Sequence, residues 1–185
     1  LVASKDLITF AHADSQFDLS EITKFRDKMH TTNADIICGI RIQDRDPFYR
    51  RINRWLWNKL IYALFGHLAS DIDCGFKLFK RSILSQITLP SNGALIDTQL
   101  LVGARIQGLK IEEIPVSHYP RLIGNPTGAN VRVIFNALKE LFIYWWQLKQ
   151  EVLVEQGKAI FPWEAIAIFV ISIVFGVALG RDRAV

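Results

Sequence analysis

Short apolar runs alternate with helically spaced ones along most of this chain. Leu7-Ile8-Thr9-Phe10-Ala11 and Ile36-Ile37-Cys38-Gly39-Ile40 are brief and continuous, the pattern of buried strands. Between them Leu19, Ile22 and Phe25 fall on one helical face, and Asp18 with Glu21 three residues on has the form of a capping box. A helix from Leu19 to Met29 is expected, and strand, helix, strand implies a parallel unit. Pro47 suits the first turn of a second helix, Phe48 to Phe65, stopped by Gly66. A third helix is expected from Leu95 to Gln107, ended by Gly108, followed by a strand from Lys110 to Val116. That strand runs into a loop, His118 to Gly128, whose Pro and Gly content excludes regular structure.

The remainder changes character. Val131, Ile134, Leu138, Leu141, Phe142 and Trp145 recur at helical spacing within one long helix, Asn130 to Gln150. Its aromatic end, Phe142 to Trp146, suits a water–lipid interface. From Trp163 to Gly180 the sequence is almost wholly apolar, and from Ala165 to Leu179 it carries no charge. Those 18 positions reach roughly 27 Å as a helix, close to a hydrocarbon core of roughly 30 Å. The expected organisation is an α/β domain over 1–128, an amphipathic interfacial helix and linker over 129–158, and one C-terminal transmembrane helix with a short tail over 159–185.

Composition sharpens this in two ways. Half of the 185 residues are hydrophobic, high for a soluble domain, which agrees with a membrane-facing part. Cys38 and Cys74 are the only cysteines, so nothing implies a disulfide framework and a reducing compartment is the default. The net charge of +4 favours an anionic partner without choosing one. Between Arg41 and Arg81, nine Lys and Arg stand against four Asp, enough positive charge for a diphosphate. The basic, aromatic helix after Pro47 matches no nucleic-acid-binding motif and reads as an amphipathic surface helix, so no nucleic acid is expected.

Candidate chemistry gathers at Ser70-Asp71-Ile72-Asp73-Cys74-Gly75, two carboxylates and a glycine entering an alternating stretch, Phe76-Lys77-Leu78-Phe79. This reads as an acidic turn at a sheet rim that opens a half-buried strand. Carboxylates there can accept a proton or hold a cation. His12 and Asp14 follow the first strand, and His118 and Arg121 follow the last, at strand ends where α/β sheets bind ligands.

The series His12-Ala13-Asp14-Ser15-Gln16-Phe17-Asp18, Gly39-Ile40-Arg41, Asp46-Pro47-Phe48-Tyr49-Arg50-Arg51 with Asn58, Asp71 through Phe79, and Glu113 through Arg121 resembles glycosyltransferase family 2. Within it the chain is most similar to the dolichol-phosphate mannose synthase and polyprenyl-phosphate glycosyltransferase branch. The resemblance covers about residues 6–150. It implies a GT-A fold, with a Rossmann-like sheet and helices on both faces. It also implies inverting transfer of a sugar from a nucleotide-sugar donor to a polyprenyl phosphate, with a divalent metal, Mg²⁺ or Mn²⁺. The family's metal-binding Asp-x-Asp falls on His12 and Asp14, and an imidazole suits Mn²⁺ better than Mg²⁺. Asp71 matches the acid beside the acceptor and a proposed base, and Asp73 is an extra carboxylate in the same catalytic turn. Arg41 and Arg121 match basic positions near the diphosphate and the acceptor phosphate, with His118 beside them as a phosphate ligand. Gln99 and Thr127-Gly128 depart from the family pattern on the acceptor side.

The family's N-terminal donor-binding part has no counterpart before Leu1, so a partial GT-A domain is expected. Its exposed strand edge would need another chain, or a second copy in a homo-oligomer, to cover it. A non-catalytic remnant or membrane-tethered binding module therefore stays open beside the enzyme. The resemblance places the protein at a membrane with the sugar-transfer domain on the cytoplasmic face, where nucleotide sugars are supplied. Arg181 and Arg183 beyond the span, partly offset by Asp182, are a weak opposing signal. The intact chain should resist carbonate extraction, whereas a chain cut after Lys158 should sediment with anionic liposomes in low salt and leave them in high salt. Recovery of the intact chain in the soluble fraction without detergent would make Ala165 to Leu179 a buried core helix instead.

Overall fold

The apolar runs pair into one mixed sheet. A computed structural model of the chain describes residues 4–42, 47–89, 95–120 and 131–155. In chain order it holds β1 (Leu7–Ala11), α1 (Ile22–Thr32), β2 (Ile36–Ile42), α2 (Phe48–Phe65), β3 (Phe76–Lys80), α3 (Ile96–Ile106), β4 (Ile111–Ser117) and α4 (Val131–Glu155). Short 3₁₀ turns, Leu19–Glu21 and Arg81–Ser85, precede α1 and follow β3. The chain divides into two compact units, Leu1–Asn125 and Pro126–Val185.

In the first unit the strand order is β1-β3-β2-β4. β1 and β2 point the same way but do not pair, because β3 lies between them and runs antiparallel to both. β2 and β4 are parallel neighbours, with Arg41 opposite Val116. The expected parallel unit is thus split by a later strand. β3 also departs from the half-buried strand that its alternation predicts, since Phe76, Lys77, Leu78 and Phe79 are all buried. A central strand is covered on both faces, and its one polar inward residue, Lys77, is carried in with a partner, Asp97 of α3.

Phe76 and Leu78 face α1, where they pack with Phe25, Met29, Ala34, Ile37 and Val116. The Phe25 and Phe76 rings lie 4.4 Å apart. Lys77, on the opposite face, meets α3, so helices cover both sides of the sheet. Leu19 does not join the apolar face of α1; it stands 57% exposed in the preceding 3₁₀ turn. The capping box forms only halfway. Asp18 accepts the Ser20 N–H at 2.9 Å, but the Glu21 carboxylate reaches β4 instead, accepting from Ser117 Oγ at 2.7 Å and Ser117 N at 3.3 Å. α1 ends on Asn33 in the left-handed region, φ 52°, which short polar side chains tolerate.

α4, in the second unit, buries Ala137, Leu141, Tyr144 and Trp145 at helical spacing. It extends to Glu155, into the stretch expected to be a linker, where no Gly or Pro stops it before Gly157. Among the described residues no helix is long and apolar enough to cross a membrane. The expected span, Trp163 to Gly180, lies outside the described residues.

Gly75 is the tightest point of the acidic turn. A Cβ there would run into the His12 ring, whose Nδ1 edge rests against the glycine, while His12 N–H donates to Gly75 O at 3.0 Å. Gly75→Ala should cost about 1–3 kcal/mol in urea-unfolding stability, and His12→Ala should return most of that loss in the double variant. Additive losses in that cycle would show that the ring and the glycine do not touch.

Candidate functional site

Strand direction brings the candidate residues to one end of the sheet. β1, β2 and β4 run in the same direction, so His12, Arg41 and His118 stand at or just beyond their C-terminal ends. β3 runs the other way, so the turn that begins it, with Asp71 and Asp73, arrives at the same end. Four segments remote in sequence thus meet where α/β sheets bind ligands.

The acidic turn is held by an ion pair of two-pronged geometry. Arg41 Nε donates to Asp71 Oδ2 at 2.7 Å, Arg41 Nη2 to Oδ1 at 2.5 Å, and the Arg41 backbone N–H to Oδ2 at 3.3 Å. Both side chains are nearly buried. Burial works to raise the Asp71 carboxyl, but the Arg41 hydrogen bonds and the Arg41 and Arg54 charges hold it below the usual carboxylate range. Arg54 comes from α2, and burial together with the Arg41 charge depresses its own pKa. Asp73 moves the opposite way, from 3.8 to about 6, because of desolvation first and the Asp97 charge second. One residue apart, the two carboxylates have opposite environments.

Beneath the turn, Lys77 is fully buried. Its ammonium donates to Ile72 O at 3.0 Å, to Cys74 O at 2.5 Å and to Asp97 Oδ1 at 2.5 Å. Two carbonyls of the acidic turn are therefore aimed inward. The approach to the turn is pinned as well, because Ser70 N and Oγ donate to Glu113 of β4 at 2.6 and 2.9 Å and Asn58 Nδ2 of α2 donates to Ser70 O at 3.3 Å.

The loop after β1 is zipped to the end of β4. Gln16 Nε2 donates to Tyr119 O at 3.2 Å, Tyr119 N donates to Gln16 O at 2.9 Å, and Phe17 forms a bridge with His118. His118 is only 5% exposed, with its ring 5.5 Å from Phe17, so it presents little surface to a ligand. Asp14 Oδ1 accepts the Gln16 N–H at 3.3 Å across Ser15, which takes the left-handed φ of 57°. Arg121, the remaining expected phosphate ligand, lies outside the described residues.

Whether Asp14 and His12 suit a divalent metal depends on their donor chemistry. Among the described residues no group of three or more His, Cys, Asp or Glu side chains is placed to hold an ion. One carboxylate and one imidazole are donor types that a divalent ion accepts, with its other positions left to phosphate oxygens or water. The imidazole moves the preference toward Mn²⁺. Because the Nδ1 edge of His12 rests on Gly75, Nε2 is the nitrogen facing away from the turn.

Sequence reasoning placed Asp71, Asp73 and Arg41 but missed Lys77, Asp97 and Arg54. A lysine inside the apolar stretch Phe76 to Phe79 was the available signal for the first. Nothing local marked Asp97 as its partner.

Residues 2–88 match the family model described as glycosyl transferase family 2. Among curated relatives, the glycosyltransferase AglJ of Haloferax volcanii is 30% identical over 119 residues, 62% of this chain and 39% of that protein. Dodecaprenyl-phosphate galacturonate synthase of Rhizobium johnstonii is 26% identical, over 74% of this chain and 41% of its own length. Dolichyl-phosphate beta-glucosyltransferase ALG5A of Trichomonas vaginalis is 34% identical, over 48% and 29% respectively. The chain spans well under half the length of each of these three relatives.

The two carboxylates should show opposite pH signatures. Asp73 is raised from 3.8 to about 6, so its stability contribution is full below pH 3.8 and lost as pH rises through about 6. Asp73→Asn should therefore gain on the wild type across that window and hold a constant gain above it, read from urea midpoints. Asp71 is depressed, so its contribution is present above the ordinary carboxylate value and lost as pH falls below it. Asp71→Asn, which strands the buried Arg41 charge, should cost roughly 3–5 kcal/mol at neutral pH. A difference between Asp73→Asn and wild type that stays flat over the same pH range would contradict a desolvated Asp73.

Proposed function

We propose that this domain transfers a sugar, with inversion, from a nucleotide-sugar donor to a polyprenyl phosphate at the cytoplasmic face of a membrane. The observation that carries the reading is the convergence of the Arg41–Asp71 pair with the loop bearing His12 and Asp14 at one end of the sheet. It stands in a chain with a glycosyl transferase family 2 domain. Relatives named for dodecaprenyl-phosphate and dolichyl-phosphate substrates support the acceptor class.

In this reading an acceptor phosphate oxygen attacks the anomeric carbon, forming the new C–O bond as the bond to the nucleoside diphosphate breaks. That oxygen is already ionised at neutral pH, so no strong base is required. Asp71, depressed and gripped by Arg41, has the wrong basicity for a proton abstractor and the right rigidity for a positioning group. Arg41, Arg54 and Arg121 supply the positive charge that a diphosphate leaving group and an acceptor phosphate need. Asp14 and His12 would hold a divalent metal, which when bound neutralises diphosphate charge. A non-catalytic, membrane-tethered binding module is the second reading, favoured by the histidine where the family places its first metal-binding acid.

The test uses the purified chain in detergent with Mn²⁺ or Mg²⁺, a panel of nucleotide sugars and a polyprenyl phosphate. Calorimetric binding together with a sugar-phosphate-lipid product is the expected result. His12→Asp should raise Mg²⁺-supported transfer, and Arg121→Lys should lower transfer roughly 10- to 100-fold, since an ammonium cannot reproduce the guanidinium fork. Binding without product in every combination would leave the module reading. Neither binding nor product would defeat both.

A further inference from the structure

We propose that Glu21 is a positioning residue for sugar transfer, anchoring the loop that bears His12 and Asp14 to the far edge of the sheet and so setting the donor side of the site against the acceptor side. This role rests on the proposed transfer, in which Asp14 serves the diphosphate and the loop after β4, with Arg121, serves the acceptor phosphate. β1 and β4 are the outer strands, with β3 and β2 between them, so their ends stand roughly 14 Å apart at a strand spacing of about 4.8 Å. The connection from β1 to α1 crosses that whole width and is fixed on both sides. At its start His12 N–H donates to Gly75 O at 3.0 Å, beside the acidic turn. Further on, Gln16 exchanges two hydrogen bonds with Tyr119, Phe17 bridges His118, and the Glu21 carboxylate takes Ser117. Phe17 also packs against the core, its ring 5.9 Å from that of Phe76. The crossing is a strap rather than a loose loop.

Glu21 is the contact that helix formation does not explain. A carboxylate at a helix start can stay in water and cap its own backbone. This one is 9% exposed, and it accepts from Ser117 Oγ at 2.7 Å and Ser117 N at 3.3 Å, with Lys24 Nζ 3.3 Å away. A buried charge adds little net stability even when paired; what it enforces is one arrangement of the groups that meet it. Ser117 is the last residue of β4, and the acceptor-side loop leaves the sheet from there. Inverting transfer needs the attacking oxygen and the anomeric carbon in line, so a shift of about 1 Å between the two sides can slow it roughly 100-fold with both ligands still bound.

The experiment compares the full chain with its Glu21→Ala, Glu21→Gln and Ser117→Ala variants in detergent, with the same metals, nucleotide sugars and polyprenyl phosphate. Two rates are read from one nucleotide sugar: transfer, in which the acceptor phosphate oxygen takes the anomeric carbon, and hydrolysis, in which water takes it and releases a proton. Their ratio does not depend on how much of the protein is active. Glu21→Ala should lower the ratio of transfer to hydrolysis roughly 10-fold or more, and Glu21→Gln, whose amide oxygen still accepts the Ser117 hydroxyl, should recover most of it. Ser117→Ala should lower it as well, and the loss in the Glu21→Ala, Ser117→Ala double variant should be less than additive. Ser117→Ala removes a single hydrogen bond, so it carries the test if Glu21→Ala does not fold. Exchange of the Ser117 and Tyr119 amide hydrogens, which needs no substrate, should quicken several-fold in Glu21→Ala. A ratio unchanged in both alanine variants, or exchange unchanged at both amides, would overturn the proposal and leave the transfer reading intact. Absence of transfer by the wild-type chain would remove the transfer reading, and the proposal with it.

Discussion

The Lys77 ammonium is the interaction on which the acidic end of the sheet depends. A lysine in the middle of a central strand is costly to bury unless every donor is met. Here three acceptors meet it: the Asp97 carboxylate of α3 and the carbonyls of Ile72 and Cys74. Those carbonyls belong to the turn that carries Asp71 and Asp73. The buried charge that couples the sheet to α3 therefore also fixes the backbone from which both site carboxylates project. Loss of the ammonium would leave Asp97 uncompensated and release the turn in one step. Stability and site geometry share this contact, and neither can be altered through it alone.

That arrangement explains why adjacent carboxylates behave differently. Asp71 meets Arg41 in a two-pronged pair beside the Arg54 charge, and its ionised form wins against burial. Asp73 has the same turn and the same Lys77 below it, but desolvation and the Asp97 charge prevail. Hydrogen bonding decides between them, since only Asp71 accepts from a guanidinium in the geometry that oxyanions favour.

Much of the fold was legible because most elements obey one period. The strands at Leu7 and Ile36 and the helix from Phe48 to Phe65 fall where continuous or spaced apolar residues and the Pro and Gly stops place them. What the sequence concealed was pairing. β3 inserts between β1 and β2, and a mixed order of this kind leaves no local mark. Glu21 looked like a cap and serves β4 instead, because a carboxylate three residues after Asp18 has the same spacing whichever N–H it meets. Within the site, the acidic turn and Arg41 were visible as chemistry, while the Lys77–Asp97 pair, 20 residues apart, needed the packing of α3 to appear.

Under the proposed transfer a lipid acceptor and a water-soluble donor must meet at one site, and α2 lines one side of it. Arg54 and Asn58 lie on the side of the helix that faces the acidic turn. The Arg54 charge adds to that of Arg41 beside Asp71. Under the proposed transfer, what the site must supply is charge neutralisation and alignment rather than proton abstraction. A depressed, arginine-bound Asp71 and a turn locked from below by Lys77 meet that demand, and a free, basic carboxylate would not.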